Sequence, residues 1–148
     1  MTPAEREAFY RQVMDRSNLS EHFATASGIR ITFVGDQRAV GELTVTKHSL
    51  NPMGTVHGGC LATLADTVAG TAVLAGGYKC VTLSYSFNFL RPATGSCIHC
   101  AATPQKVGSN VSVMDVTLSN DQGMVVATGN FTFFHTGELT LEDLKPVR

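Results

Sequence analysis

Charge is scarce in this 148-residue chain: only 16% of its residues are Asp, Glu, Lys or Arg. Eleven Lys and Arg nearly cancel twelve Asp and Glu, leaving a formal net charge of −1. With no surplus of either sign, there is no broad basic surface to neutralise nucleic-acid phosphates and no acidic tail. A small neutral partner, or one gripped by a few local cations, suits this balance. The opening stretch MTPAEREAFYRQVMDR carries charges where a secretory signal needs an apolar run, which predicts an intracellular, cytoplasmic protein. Cysteine is also sparse, at four residues (Cys60, Cys80, Cys97 and Cys100), too few for a disulfide framework at this length. Reduced packing residues are expected. Cys97-Ile98-His99-Cys100 has the look of a metal hook, but no second paired ligand set occurs elsewhere. In a strand, alternation sends Cys97 and His99 to one face and Cys100 to the other. No metal and no cofactor are expected.

The same scarcity locates the centre of the fold. From Gly58 to Gly77 the only formal charge is Asp66, so this segment has no solvated charged face and must be buried. Leu61, Leu64, Ala65, Val68, Ala69 and Ala72 recur at spacings of three and four, with Thr63, Thr67 and Thr71 as a second stripe, which predicts a helix from about Gly58 to about Ala75. A membrane span would need all of about 20 residues to be apolar, Asp66, the threonines and the glycines included, and no basic flank follows, so no span is expected. An Asp inside such a helix either finds hydroxyl donors or is held for chemistry. Both readings stand at this point.

The rest of the chain reads around that helix. Pro3 to Asp15 is amphipathic, with Ala4, Phe9, Tyr10, Val13 and Met14 among charges, and Ser17 to Ala26 adds a short helical turn. Ile29, Ile31 and Phe33 then alternate with polar residues, as do Leu43 and Val45, about a Gly35-Asp36-Gln37 turn: a hairpin. Gly76-Gly77 ends the central helix. Strands follow over Thr82 to Phe89, Cys97 to Lys106, Val111 to Ser119 and Val125 to His135. Leu83, Tyr85, Phe87 and Phe89 line a pocket or fill the core, the core being the expectation for most of them. The apolar phase slips at Val113 and Met114, which points to a bulge there. Residues 1–28 thus form an N-terminal helical segment, 29–137 the main domain and 138–148 a loosely attached tail. The class is α+β: an antiparallel sheet of about six strands covering one long helix. One sheet covers one face of that helix, so a second copy of the chain is expected to cover the other.

Gly58 and Gly59 open the helix with unpaired, sterically open N–H groups at the positive end of its dipole, which is either a tight turn or a donor for an oxyanion. His57 beside them is a structural histidine, a substrate contact or an acid/base. Eight helical residues separate Gly58 from Asp66, a rise of about 12 Å. An attacking group and its oxyanion donors must both lie about 3 Å from one reacting group, so one chain cannot supply both. Two such helices antiparallel across a twofold axis bring Asp66 of one copy to Gly58 of the other.

NPMGTVHGGCLATLAD, CVTLSYSFNFLRPA and QKVGSNVSVMDV together resemble the hotdog-fold acyl-CoA thioesterases of the phenylacetate-degradation (PaaI-like) type, over roughly Val40 to His135. The resemblance implies a hotdog fold and hydrolysis of acyl-CoA. It implies that Asp66 is the nucleophile or general base and that the Gly58 N–H, with the side chains of Asn51 and His57, holds the thioester carbonyl. It implies that Thr82 places the attacking water and that the site lies across a dimer interface, often within a dimer of dimers. For the phosphates of CoA, Arg91 and Lys106 beside the Gly108-Ser109 turn are the candidates. Relatives often carry a second basic residue where Ser109 stands, which leaves a carrier-protein thioester open as substrate. A hydratase on the same fold would want its acid paired with a His near the helix start, and a non-catalytic acyl-thioester sensor would use the same slot without turnover.

Overall fold

The N-terminal helix α1 (Pro3–Ser17) starts at a capping box: the Thr2 hydroxyl accepts from the Glu5 N–H at 3.1 Å and Glu5 Oε2 from the Thr2 N–H at 2.7 Å. Its buried residues, Phe9 and Val13, are spaced four apart and pack it onto the domain. Just past its end, Asn18 exchanges two 2.8 Å hydrogen bonds with the backbone of Ile31, fastening the helix to the first strand. These coordinates are a computed structural model that describes residues 1–145, so positions 146–148 of the expected tail lie outside the described residues.

After a short α2 (Phe23–Ala26), the chain forms β1 (Ile29–Gly35), β2 (Arg38–Thr44), the long helix α3 (Gly58–Ala75), β3 (Tyr78–Phe89), β4 (Cys97–Val107), β5 (Val111–Asn120) and β6 (Val125–Glu138). The six strands make one antiparallel sheet in the order β1-β2-β4-β5-β6-β3, and α3 packs along one face, touching every strand. The expected α+β arrangement of a sheet around one central helix is therefore what the chain forms. Leu61, Leu64, Ala65, Val68, Ala69, Ala72 and Val73 of α3 are buried against it. The close approach depends on Gly41 in β2, where a Cβ would stand 2.7 Å from the Val68 side chain.

Four expectations about the strands and tail are corrected. Phe33 does not follow Ile29 and Ile31 into the core, because a register shift between Ile31 and Phe33 reverses the phase of β1. Val34 is buried in its place and Phe33 is 52% exposed. The irregularity near Val113 and Met114 belongs to β4, where the register shifts between Pro104 and Lys106, while β5 alternates unbroken with Ser112, Met114, Val116 and Leu118 inside. β3 starts at Tyr78 and takes the sheet edge next to β6, so Leu83, Tyr85 and Phe89 are exposed and only Phe87 is part-buried. Finally, the C-terminal stretch is tied down as far as Lys145: the Leu139 N–H donates to the Gly77 carbonyl at 2.9 Å, Leu144 is buried, and Lys79 lies 3.5 Å from Asp143.

Candidate active site

The helix α3 sets the site. Its length and apolarity would suffice to cross a membrane, but half of it is buried inside the domain as a core helix. The less buried side of α3 carries Gly59, Thr63, Asp66, Thr67, Gly70 and Leu74, none of them fully buried. The three threonines do not serve Asp66. Thr63, Thr67 and Thr71 donate to the carbonyls of Gly59, Thr63 and Thr67 at 2.8, 2.7 and 2.8 Å, each closing onto the preceding helical turn. The hydroxyl that reaches the carboxylate comes from β3, where Thr82 Oγ1 donates to Asp66 Oδ1 at 2.7 Å. Among the described residues Asp66 Oδ2 has no hydrogen-bond partner. A cleft of ≈ 330 Å³ opens beside this pair, lined by Asp66, Gly70, Cys80, Thr82 and Phe133 among others. The Asp66 charge is felt there: burial first, then that carboxylate, pushes the Cys80 thiol up to about 11.

The start of the helix is built differently. His57 is its N-cap and Nδ1 accepts from the Gly59 N–H at 2.8 Å, so the ring proton sits on Nε2. The His57 carbonyl accepts from the N–H groups of Cys60 and Leu61 at 2.9 and 3.1 Å. Among the described residues the Gly58 N–H is left without a partner, with the positive end of the helix behind it. Phe89 stands over it, and a Cβ at position 58 would meet that ring at 3.2 Å. Asn51 is occupied by its own loop: Nδ2 donates to Thr55 Oγ1 at 2.9 Å, and Oδ1 accepts from the N–H groups of Met53 and Thr55 at 3.0 and 3.2 Å. A second, larger cleft of ≈ 740 Å³ adjoins this end, lined by His57, Gly59, Cys60, Thr63, Thr44 and Phe23 among others.

Strand register separates the phosphate candidates in the same way. Thr82 pairs with Phe133, which pairs with Ser112, which pairs with Val107, so Lys106, Gly108 and Ser109 lie at the Asp66 end. Arg91 follows Phe89 at the other end, with Gly58. Arg91, Lys106 and Ser109 are exposed, and Gly108 closes a turn through its N–H to the Val111 carbonyl at 2.8 Å. One residue that shapes this turn was not singled out from sequence. His135 is buried, stacked on Tyr78 at 3.9 Å, with Nδ1 donating to the Ser109 carbonyl at 3.1 Å and Nε2 accepting from the Ser112 hydroxyl at 2.7 Å. The signal was present: His135 continues the inward phase of Phe131 and Phe133.

A thioesterase superfamily model matches residues 53–127, which span both ends of this site. The acyl-coenzyme A thioesterase PaaI of Escherichia coli K12 is 34% identical over 70% of this chain and 75% of its own length. The solved structure of E. coli PaaI superposes with a TM-score of 0.79 at 27% identity, covering 89% of this chain and 99% of that one. A hypothetical thioesterase protein of Streptococcus pneumoniae TIGR4, solved with coenzyme A, superposes with a TM-score of 0.75 at 32% identity over 80% of this chain and 96% of its own. Two more structures of that pneumococcal protein each carry one substitution to Ala, of an Asp and of a Thr that stand 16 positions apart, the separation of Asp66 and Thr82 here. By family match, relatives and fold alike, this chain belongs to the thioesterase superfamily, in its hotdog form.

Proposed function

We propose that the protein hydrolyses acyl-CoA thioesters at two equivalent sites, each shared between two copies of the chain. One observation carries the reading: a hydroxyl-braced carboxylate and a helix-start N–H that has no partner among the described residues belong to the same helix, yet lie about 12 Å apart along it in one chain. An antiparallel pair of such helices closes that gap. The exposed edge strand β3 supports the pairing, because Val81, Leu83, Tyr85 and Phe89 are each more than half exposed on a strand with an unpaired side. A dimer of dimers is the further expectation from the family.

In this geometry the thioester carbonyl oxygen accepts from the Gly58 N–H. Thr82 fixes Asp66 Oδ1, leaving Oδ2 to take a proton from water as that water attacks the carbonyl carbon. The tetrahedral oxyanion is held by the amide, and its collapse breaks the C–S bond. The CoA thiolate takes back the proton from Asp66, and the acid leaves. Direct attack by Asp66, giving a mixed anhydride that water opens, uses the same groups. His57 contributes by capping: in binding the Gly59 N–H it orients the helix start and leaves the neighbouring amide free. Asn51 shapes the loop before the helix, and its second amide hydrogen remains for the carbonyl. Lys106 with the Gly108-Ser109 turn of one copy and Arg91 of the other then lie toward the same composite slot, as contacts for the CoA phosphates.

The test is thiol release from a panel of aryl and fatty acyl-CoA thioesters, run beside an acyl-carrier-protein thioester. Turnover of an acyl-CoA that falls by orders of magnitude in Asp66→Ala, with the oligomer intact, supports the reading. Unchanged turnover in that variant removes Asp66 from the chemistry. Tight binding with no thiol release from any thioester makes the protein a sensor.

A further inference from the structure

We propose that Glu42, Cys97 and His99 form a Zn²⁺ site on the face of the sheet opposite α3, apart from the thioester chemistry. The residues come from neighbouring strands: Glu42 pairs directly with His99 across β2 and β4, and Cys97 lies two residues along on the same face. Their partners in alternation, Leu43, Ile98 and Cys100, are buried. The three ligand atoms all lie within 4.8 Å of one another. Glu42 Oε2 stands 3.8 Å from Cys97 Sγ and 3.7 Å from His99 Nδ1.

At 3.8 Å the Cys97 thiol donates to Glu42, while 3.7 Å is long for a carboxylate–imidazole hydrogen bond, which closes to about 3 Å. The two distances from Glu42 come close to the edges of a coordination tetrahedron, and the third edge is at most 4.8 Å. With Zn–S of about 2.3 Å and Zn–N and Zn–O of about 2.1 Å, ligand atoms sit about 3.4–3.6 Å apart. A small inward movement of three surface side chains therefore suffices. Charge also closes: a carboxylate and a thiolate neutralise Zn²⁺, the imidazole adds a neutral nitrogen, and one proton leaves Cys97 for solvent as the metal binds. Asp121 is close enough to act electrostatically on both Cys97 and His99, and it deepens the local negative potential. Its Oδ2 accepts from the N–H and hydroxyl of Ser96 at 3.0 and 2.9 Å and it lies outside the group of three ligand atoms, so water takes the fourth position. The side chains of Glu42 and His99 are 36% and 46% exposed, so an ion reaches them from solvent. The bound ion clips β2 to β4.

Co²⁺ alone, added to the full chain near neutral pH, reports the site through thiolate charge-transfer absorption and the visible bands of a tetrahedral ion, and Zn²⁺ added afterwards displaces it. The expected result is one equivalent per chain, loss of the charge-transfer band in Cys97→Ser, and affinity weakened about tenfold or more in Glu42→Gln and His99→Asn. Cys97→Ser keeps the other three thiols and a hydroxyl of similar size, and circular dichroism verifies that it folds. Zn²⁺ should raise the Tm of the parent and not of Cys97→Ser. A band that survives Cys97→Ser, no thiolate band at all, or affinity unmoved by both Glu42→Gln and His99→Asn overturns the proposal and leaves a cross-strand ion pair.

Discussion

Replacing Gly58 by Pro deletes one hydrogen-bond donor and little else. Position 58 is the first residue of α3, where the N–H has no helical partner and Pro is well tolerated. His57, at φ −59° and ψ 135°, already has the extended conformation that a following Pro requires. The new Cβ meets the ring of Phe89 at 3.2 Å, a contact that a shift of a few tenths of an ångström relieves. Fold and dimer should persist while turnover falls by about 10²–10³, the usual loss on removing one oxyanion donor, or about 2.7–4 kcal/mol of transition-state stabilisation. The proposed sharing of the site between two copies gives this variant a second use. In a heterodimer of Gly58→Pro with Asp66→Ala, one site carries both lesions and the other carries neither. Random pairing makes about half of the dimers mixed, so co-expressed subunits should recover about one quarter of parental activity, and a tag-purified heterodimer about one half. Thiol release by each parent variant alone sets the baseline. A mixture no more active than its parents would refute the shared site and put both groups to work within one chain.

Thr82→Val removes the hydroxyl on Asp66 Oδ1 and should lower kcat about tenfold or more with KM little changed; an unchanged kcat would make that hydrogen bond purely structural. Leu83→Lys places a charge on the exposed edge of β3, so sedimentation should show monomer and activity should become dependent on protein concentration. Cys80 gives a pH test: folding raises its thiol from 9.0 to about 11, so the folded chain holds a proton that the unfolded chain releases, and stability should decline as pH rises through that window. Since Asp66 is the second cause of that rise, Asp66→Asn should speed alkylation of Cys80 several-fold at fixed pH, read by mass spectrometry. Phe131→Ala empties a fully buried site between Tyr85 and Phe87 and should cost about 3–5 kcal/mol in urea unfolding.

Periodicity carried most of the fold. The run from Gly58 to Ala75, with Asp66 its one charge, could be stable only as a buried helix, and runs of period two separated by turn residues could pair only as antiparallel strands. The distance along the helix between Asp66 and Gly58 was legible too, because helical rise is a constant of the backbone. Phase was less secure: the fate of Phe33 depended on a register shift that no residue of β1 announces. The hydrogen bonds around Asn51 are equally invisible in one dimension, since they depend on how a short loop closes.

Composition and spacing by themselves determined the helix, the strands and the separation of about 12 Å along the helix between Asp66 and Gly58, because those follow from local geometry and from the cost of burying charge. Only the tertiary structure decided strand order. That order set β3 at the edge with its apolar side chains exposed, joined Thr82 to Asp66 across 16 positions, and laid Glu42 beside Cys97 and His99. Pairing between distant segments is a property of the packed sheet as a whole, and no single stretch of the chain encodes it.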